Sequence, residues 1–366
     1  MNNMNFTRIG LFITALFCLL TPPAAAADVS STKAWTITFS NEIAPSSLCA
    51  QTIYIQAPNG NIHPTAITQL TDTTVQLQPL TPYQQSGTYT IVITNVQDAA
   101  DTFVIPYTHA FTYTAVPKAT WIWNAYHLTE QDAQFLIEQG VTKVYVQVES
   151  ELPYEAYIPF FKTLQANNIA IYALEGFAGL QFQDEQKTTR FIEWVTNFQL
   201  QYGYFTGIHA DIEPYTDAVW QQNEQQLLEQ YFTYVQRLQK LAHERSLRFE
   251  IDIPFWFDAL EYTNMFGTGI VAHWLIDHSD EVTIMAYRNS AAAIIPLVAD
   301  EFQYAQAKQK QMTIAIETAE SFEGGFLSFY NTSSLALYDA LDTLYDTYHT
   351  TIAVHYLPTW QALLQR

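Results

Sequence analysis

Cysteine is nearly absent from this chain, which has only Cys18 and Cys49. Cys18 lies inside an apolar run from Ile9 to Leu20. Once that run is removed only Cys49 remains, which excludes an intramolecular disulfide and any zinc site built on cysteine. Stability must then come from packed cores. Positive charge is also scarce, with 15 Lys and Arg against 36 Asp and Glu and a formal net charge of −21. That balance argues against nucleic acid, whose phosphates must be met by cations, and against anionic membrane surfaces. Long apolar segments are missing too. The Ile9 to Leu20 run is too short for a permanent anchor. Behind Arg8 and ahead of Pro22-Pro23-Ala24-Ala25-Ala26-Ala27 it reads as a secretion signal over residues 1–27, cleaved near Ala26 or Ala27. The expected mature protein is secreted, periplasmic or cell-surface, with no membrane insertion after cleavage.

What is present falls into two textures. From Asp28 to about Thr114, apolar and polar residues alternate in short runs: Trp35 to Phe39, Thr52 to Gln56, Thr74 to Gln78 and Thr88 to Ile93. Turn signals such as Pro58-Asn59-Gly60-Asn61 and Ser86-Gly87 separate them, and no helical run intervenes, which predicts a small all-β sandwich over 28–115. The stretch resembles bacterial Ig-like domains of the SbsA type. The resemblance rests on Trp35 to Phe39 followed by Ser40-Asn41-Glu42-Ile43, on Leu80-Thr81-Pro82-Tyr83 leading into Gly87-Thr88-Tyr89, and on closing Phe111-Thr112. It implies a spacing or docking role, including association with a cell surface.

Val116-Pro117-Lys118 reads as a linker, after which strand-like runs alternate with amphipathic segments. Strands are predicted near 120–125, 143–149, 169–174, 207–213, 248–254, 281–287, 312–317 and 351–356, with helices over 129–139, 154–166, 184–201, 224–245 and 333–348. Eight strands over 119–366, close to the roughly 250 residues typical of such a fold, predict an α/β (β/α)8 TIM barrel. The alternative, a doubly wound open sheet, lacks a Gly-rich phosphate loop after its first strand. No cofactor is expected.

Chemistry in such barrels sits at the C-terminal strand ends. In the fourth strand a period of two places Gly207, His209, Asp211 and Glu213 on one face and Ile208, Ala210 and Ile212 on the other. The same rule puts Tyr145, Gln147 and Glu149 inside from strand two, Glu250 and Asp252 from strand five, and Thr283, Met285 and Tyr287 from strand six; Glu175 and Glu317 end strands three and seven. Carboxylates then converge from several strands, with Arg288 the only obvious cation among the strand ends. Crowded, partly buried acids repel one another, which raises one pKa while a neighbour stays ionised. That division is what glycosidic cleavage requires.

The barrel resembles family 18 glycoside hydrolases, the chitinase-like enzymes, over most of 119–366. Asp211-Ile212-Glu213 matches the end of their alternating acidic run, with His209 and Thr206 where earlier aspartates would stand; Met285-Ala286-Tyr287 matches their sixth strand, with Arg288 replacing an acid. The resemblance implies Glu213 as general acid, Asp211 as the residue orienting a substrate acetamido group, Tyr287 as its hydrogen-bond partner and Trp360 as the tryptophan beneath the sugar. A second glycosidase arrangement, resembling the β-glucanase and galactosidase clan, pairs Glu213-Pro214 with Glu317 as nucleophile. Trp256 and Tyr215 are expected to line the cleft, with Glu149, Glu175, Asp252 and Arg288 as further substrate contacts. The expected partner is a polysaccharide or oligosaccharide. Two rivals stand beside this reading: a non-catalytic carbohydrate-binding barrel, and a metal-dependent barrel hydrolase using His209, Asp211, Glu213 and Asp252.

Overall fold

The computed structural model describes residues 28–366, so the expected signal over 1–27 lies outside the described residues. The chain divides into two compact units, with the break between Ala115 and Val116.

The first unit is an antiparallel sandwich. Its strands are β1 (Trp35–Thr38), β2 (Ile53–Gln56), β3 (Ile62–His63), β4 (Thr65–Thr71), β5 (Thr74–Pro79), β6 (Gly87–Ile93) and β7 (Tyr107–Tyr113). They form sheets ordered β1-β5-β4 and β3-β2-β6-β7. Alternation explains the pairing of faces, since Ile53, Ile55, Val75, Leu77, Tyr89 and Ile91 are all buried between the sheets. Strand β4 escapes a reading by alternation because its side chains are only partly buried or exposed throughout.

The second unit is a closed parallel barrel, a TIM barrel, as the spacing of strands predicts. Its strands are β8 (Lys118–Ile122), β9 (Val141–Gln147), β10 (Ala170–Ala178), β11 (Gly207–Glu213), β12 (Arg248–Pro254), β15 (Glu281–Met285), β16 (Gln311–Glu317) and β17 (Thr351–His355), closing in that order back onto β8. A hairpin, β13 (Glu261–Asn264) and β14 (Gly267–Ile270), sits after β12. The helices are α1 (Glu130–Glu138), α2 (Ile158–Ala166), α3 (Glu185–Tyr202), α4 (Trp220–Glu244), α5 (Val271–Asp277), α6 (Ala291–Ile294), α7 (Ala299–Lys308), α8 (Ser334–Tyr348) and α9 (Leu357–Leu364). Caps fix where several begin: Thr129 and Asp132 form a reciprocal capping box on α1, and Asp184 accepts from the first turn of α3. Among the described residues no helix is long and apolar enough to cross a membrane.

Two separate apolar clusters show which way each barrel strand faces. One fills the shell between strands and helices, and the other is interior: Ala119, Trp121, Tyr145, Tyr172, Leu174 and Ala315. Lys118, placed in the linker by composition, instead begins β8 and is fully buried, with Nζ bonded to the carbonyls of Val116 and Gln139 at 2.9 Å each.

Candidate active site

Strand β11 carries the site because its inward face is polar over its whole length. Gly207 starts that face; a Cβ there would fall 2.3 Å from the Tyr172 ring, so the interior has no room for a side chain at this level. His209 comes next, in register with Leu174 of β10 and Glu250 of β12. It is fully buried and stacks on Tyr145 with 3.6 Å between ring centroids. His209 Nε2 lies 2.9 Å from Asp252 Oδ2, and Nδ1 lies 3.7 Å from Glu250 Oε2. Burial works against a charged imidazole, but Asp252 and Glu250 outweigh it and the net direction of its pKa is upward.

Towards the strand starts the polar column continues as an ionic network. Lys143 Nζ sits 2.9 Å from both oxygens of Glu250 and 3.0 Å from Glu281 Oε1. Arg248 closes the chain, 3.4 Å from Glu281 Oε2. Burial pushes the Glu250 carboxyl up, yet Lys143 and His209 overcome it and hold the pKa near 2, at about 2 against an ordinary 4.5. Glu281 moves the other way, raised by burial and by Glu250 despite Lys143. The opposite directions have one cause: Glu250 has His209 beside it as well as Lys143, whereas Glu281 shares Lys143 and faces Glu250. Lys143 lies at the strand starts, so it does not alter the expectation that Arg288 is the obvious cation among the strand ends; the cation missing from that expectation is Lys187 of α3, which acts on Glu149 and Glu175.

At the C-terminal mouth stand Asp211 and Glu213. Asp211 pairs in register with Gly176, and its Oδ1 is buried without a hydrogen-bond partner. Burial first, then Asp252 and Glu213, push its pKa well above the ordinary aspartate value. Glu213 is also raised, by burial and then by Asp252, against a lowering hydrogen bond from Tyr215 Oη to Glu213 Oε1 of 2.9 Å. Asp252 accepts from Trp121 Nε1 at 3.1 Å and keeps Oδ1 unpartnered. Tyr287 sits beside these acids, its phenol pushed far up by burial and then by Glu317, Asp211, Asp252 and Glu213. It therefore stays an O–H donor. The arrangement offers two carboxyls biased to hold protons, a neutral hydroxyl, and Asp252 anchored by Trp121 and His209.

Glu317 is occupied differently. Its Oε1 accepts the backbone N–H of Thr318 and Ala319 at 2.7 and 2.6 Å, and its Oε2 lies 2.8 Å from His355 Nδ1. The register brings this about, because Glu317 and His355 are direct partners on β16 and β17. Trp123 Nε1 donates to His355 Nε2 at 3.0 Å. An indole can only donate, so His355 Nε2 carries the lone pair, and Nδ1 carries the hydrogen given to Glu317.

Three expected contacts are placed elsewhere. Trp360 is fully buried in α9, edge-on to Phe135 of α1, so it belongs to the shell core and cannot form a cleft wall. The cause is the turn after β17, where helix α9 begins at Leu357 and carries the indole to the barrel's outer side. Glu175 also points outward. Its neighbour Gly176 faces the interior, where a Cβ would meet Trp123 at 2.3 Å, so alternation turns Glu175 towards the helices. There, burial raises its carboxyl to about 7 against partial compensation from Lys187 and Tyr234. Glu149, beyond the end of β9, interacts with the same Lys187. Trp256 is partly exposed and edge-on to Tyr215, with ring centroids 5.1 Å apart. Arg288 donates from Nη1 to Tyr287 O at 2.7 Å.

Trp121, Lys143 and His355 are interior residues for which no role is predicted from the sequence. Extending the period of two to β8, β9 and β17 would have found them, since 119, 121 and 123 share one face, as do 143 and 145, and 353 and 355. A cavity of about 1030 Å³ opens at the opposite end, lined by Lys143, Arg248, Gln311 and Thr351 at the strand starts, and touches none of the acids at the mouth. Among the described residues no three His, Cys, Asp or Glu side chains are grouped to hold a metal ion.

The bacterial Ig-like domain family, Big_5, matches residues 17–114, which makes the first unit an Ig-like domain. No curated protein matches the chain. Among solved structures, a plant class V chitinase mutant from Cycas revoluta, in complex with (GlcNAc)3, is 14% identical, covering 68% of this chain and 97% of its own, with a TM-score of 0.44. A chitinase from Chromobacterium violaceum is 14% identical, covering 69% and 98%, with a TM-score of 0.41. Surface layer protein SbsC, domains 1-6, is 16% identical over 24% of this chain and 12% of its own, with a TM-score of 0.21. The barrel itself is defined by its closed strand pairing.

Proposed function

We propose that the barrel is a glycoside hydrolase acting on a cell-wall or matrix polysaccharide that contains amino sugar, and that the chain is exported. The observation that carries this reading is the pair Asp211 and Glu213 on consecutive inward positions at the end of β11, both biased towards the protonated form. Glu213 gives its proton to the glycosidic oxygen as the bond to the anomeric carbon breaks. In the substrate-assisted scheme the acetamido oxygen forms the new bond to that carbon, Asp211 orients the acetamido group and Tyr287 donates to it. Water then opens the intermediate, returning a proton to Glu213. Asp211 is preferred over Glu317 as the partner because both Glu317 oxygens are already taken by two backbone N–H groups and His355. Export is supported by the apolar run before residue 27 and by the bacterial Ig-like domain, which would hold the barrel near a cell surface.

Glu213→Gln tests the reading. Turnover of an amino-sugar glycan should fall by about 10²–10⁴-fold while glycan binding is kept. A wild-type protein that binds such glycans without cleaving any would instead identify a carbohydrate-binding barrel.

A further inference from the structure

Arg288 stands in the middle of three neighbouring loops at the barrel mouth, because β12, β15 and β16 are adjacent and it follows β15. The cations at the other end, Lys143 and Arg248, each lie within 4.0 Å of carboxylate oxygens. Arg288 differs: in a chain with 36 acids to 15 bases, no carboxylate among the described residues comes within 4.0 Å of its guanidinium. Its plane is held instead by aromatic rings, with 5.1 Å to the Phe255 centroid and 5.6 Å to that of Phe326. Phe326 is itself fixed. Its carbonyl accepts from Asn289 N at 2.9 Å, and its ring lies against Gly324, where a Cβ would approach it to 2.6 Å. Phe326 still leaves 57% of its surface exposed. The guanidinium has one N–H committed, to Tyr287 O, and an arginine carries five in a planar fork suited to a carboxylate. Arg288 is thus a half-buried cation with uncommitted N–H groups, beside an open aromatic face and next in sequence to Tyr287.

We propose that Arg288, flanked by Phe255 and Phe326, forms a subsite for a sugar bearing a carboxylate, next to the bond that Glu213 would cleave. This rests on the glycosidase reading above and narrows its substrate to acidic glycans. Two sources supply the same group: the carboxylate of a hexuronate, or that of a lactyl ether on an amino sugar. The net charge of −21 does not forbid it, because exposed charges farther than about 8 Å are largely screened at physiological salt and the Arg288 contact acts within that range.

The test uses the full chain carrying Glu213→Gln and measures binding of two glycan series by tryptophan fluorescence. One is a hexuronate–hexosamine oligosaccharide and the other a lactyl-bearing amino-sugar strand, each as the free carboxylate and after reduction of the carboxyl to the alcohol. The expected result is about tenfold tighter binding of the carboxylate form in one series, which identifies the source, with that preference lost when Arg288→Gln is added and only partly kept with Arg288→Lys. Equal affinity for the carboxylate and reduced forms in both series, or a preference that survives Arg288→Gln, overturns the proposal. Because the carboxylate-against-alcohol comparison needs no change at Arg288, it decides the matter even if a variant fails to fold. Hydrolysis by the wild type is scored separately. Cleavage of uncharged glycans without any carboxylate preference sinks the subsite alone, whereas a lost preference in Arg288→Gln without cleavage of any glycan sinks the hydrolase reading alone.

Discussion

Replacing Lys143 by Met tests whether the interior column is an electrostatic unit or simply a set of buried polar residues. Lys143 Nζ is within 3.0 Å of Glu250 and Glu281, and both acids are buried. Methionine matches the stem but leaves two desolvated carboxylates without their shared cation, and breaking a buried pair from one side costs about 3–5 kcal/mol. The Glu250 carboxyl gives a comparable figure by a second route. Its pKa of about 2 against 4.5 corresponds to about 3 kcal/mol of folding stability at neutral pH, reduced by the opposing push on Glu281. The sign follows from the depressed value. The contribution is complete above the ordinary carboxyl pKa of 4.5 and is lost as pH falls through about 2. Wild type and Lys143→Met should therefore differ most near pH 7 and converge in acid. Urea unfolding followed by tryptophan fluorescence reads this in the intact chain, since every tryptophan except Trp35 belongs to the barrel. A melt at pH 7 should fall by about 10 °C. Stabilities within about 1 kcal/mol at pH 7, or a gap that stays constant down to pH 3, would refute the reasoning, because surface pairs and simple packing losses behave that way.

Glu175→Gln should remove a pH dependence: its buried carboxyl, raised to about 7, keeps its stabilising neutral form below 4.5 and loses it as pH climbs through 7. The Gln variant is expected to be the more stable protein at pH 8, by up to about 3 kcal/mol, and near-equal at pH 4; chemical unfolding at both values checks it. Tyr215→Phe removes the 2.9 Å hydrogen bond that favours ionised Glu213, so the alkaline limb of the kcat/KM profile should move to higher pH, and a shift to lower pH would contradict the assignment of Glu213 as acid. Gly207→Ala and Gly176→Ala should separate by type. At 207 the new Cβ meets the backbone oxygen of Arg248 at 2.7 Å as well as Tyr172, and a melt should report a loss of about 1–3 kcal/mol or more. At 176 it meets the movable Trp123 ring, so the larger effect should be on glycan titration, through the lost Trp123 to His355 hydrogen bond.

The period-two alternation of β11 already separated Gly207, His209, Asp211 and Glu213 from Ile208, Ala210 and Ile212, and the structure keeps that division. The same period made the eight barrel strands legible, because a strand caught between a packed shell and a polar axis must write both environments into alternate residues. Trp360 shows the limit. Its distance past β17 in sequence is that of a cleft residue, but the turn into α9 sends it into the shell, and a turn's direction is not encoded by periodicity. Glu175 shows a second limit, since a carboxyl at a strand's end is inward or outward by one residue of register, and its neighbour Gly176 reveals the face only once Trp123 is seen against it.

By itself, then, the sequence determined which residues could share a face, that eight strands would build the barrel, and that acids outnumber bases. Only the tertiary structure decided which charges meet. Lys143, His209, Glu250, Asp252 and Glu281 come from four different strands, and their pairing depends on register across the closed barrel. Coulomb energies in a buried interior change steeply over a few ångströms, so the protonation of Asp211 and Glu213 is a property of that register and not of the strand that carries them.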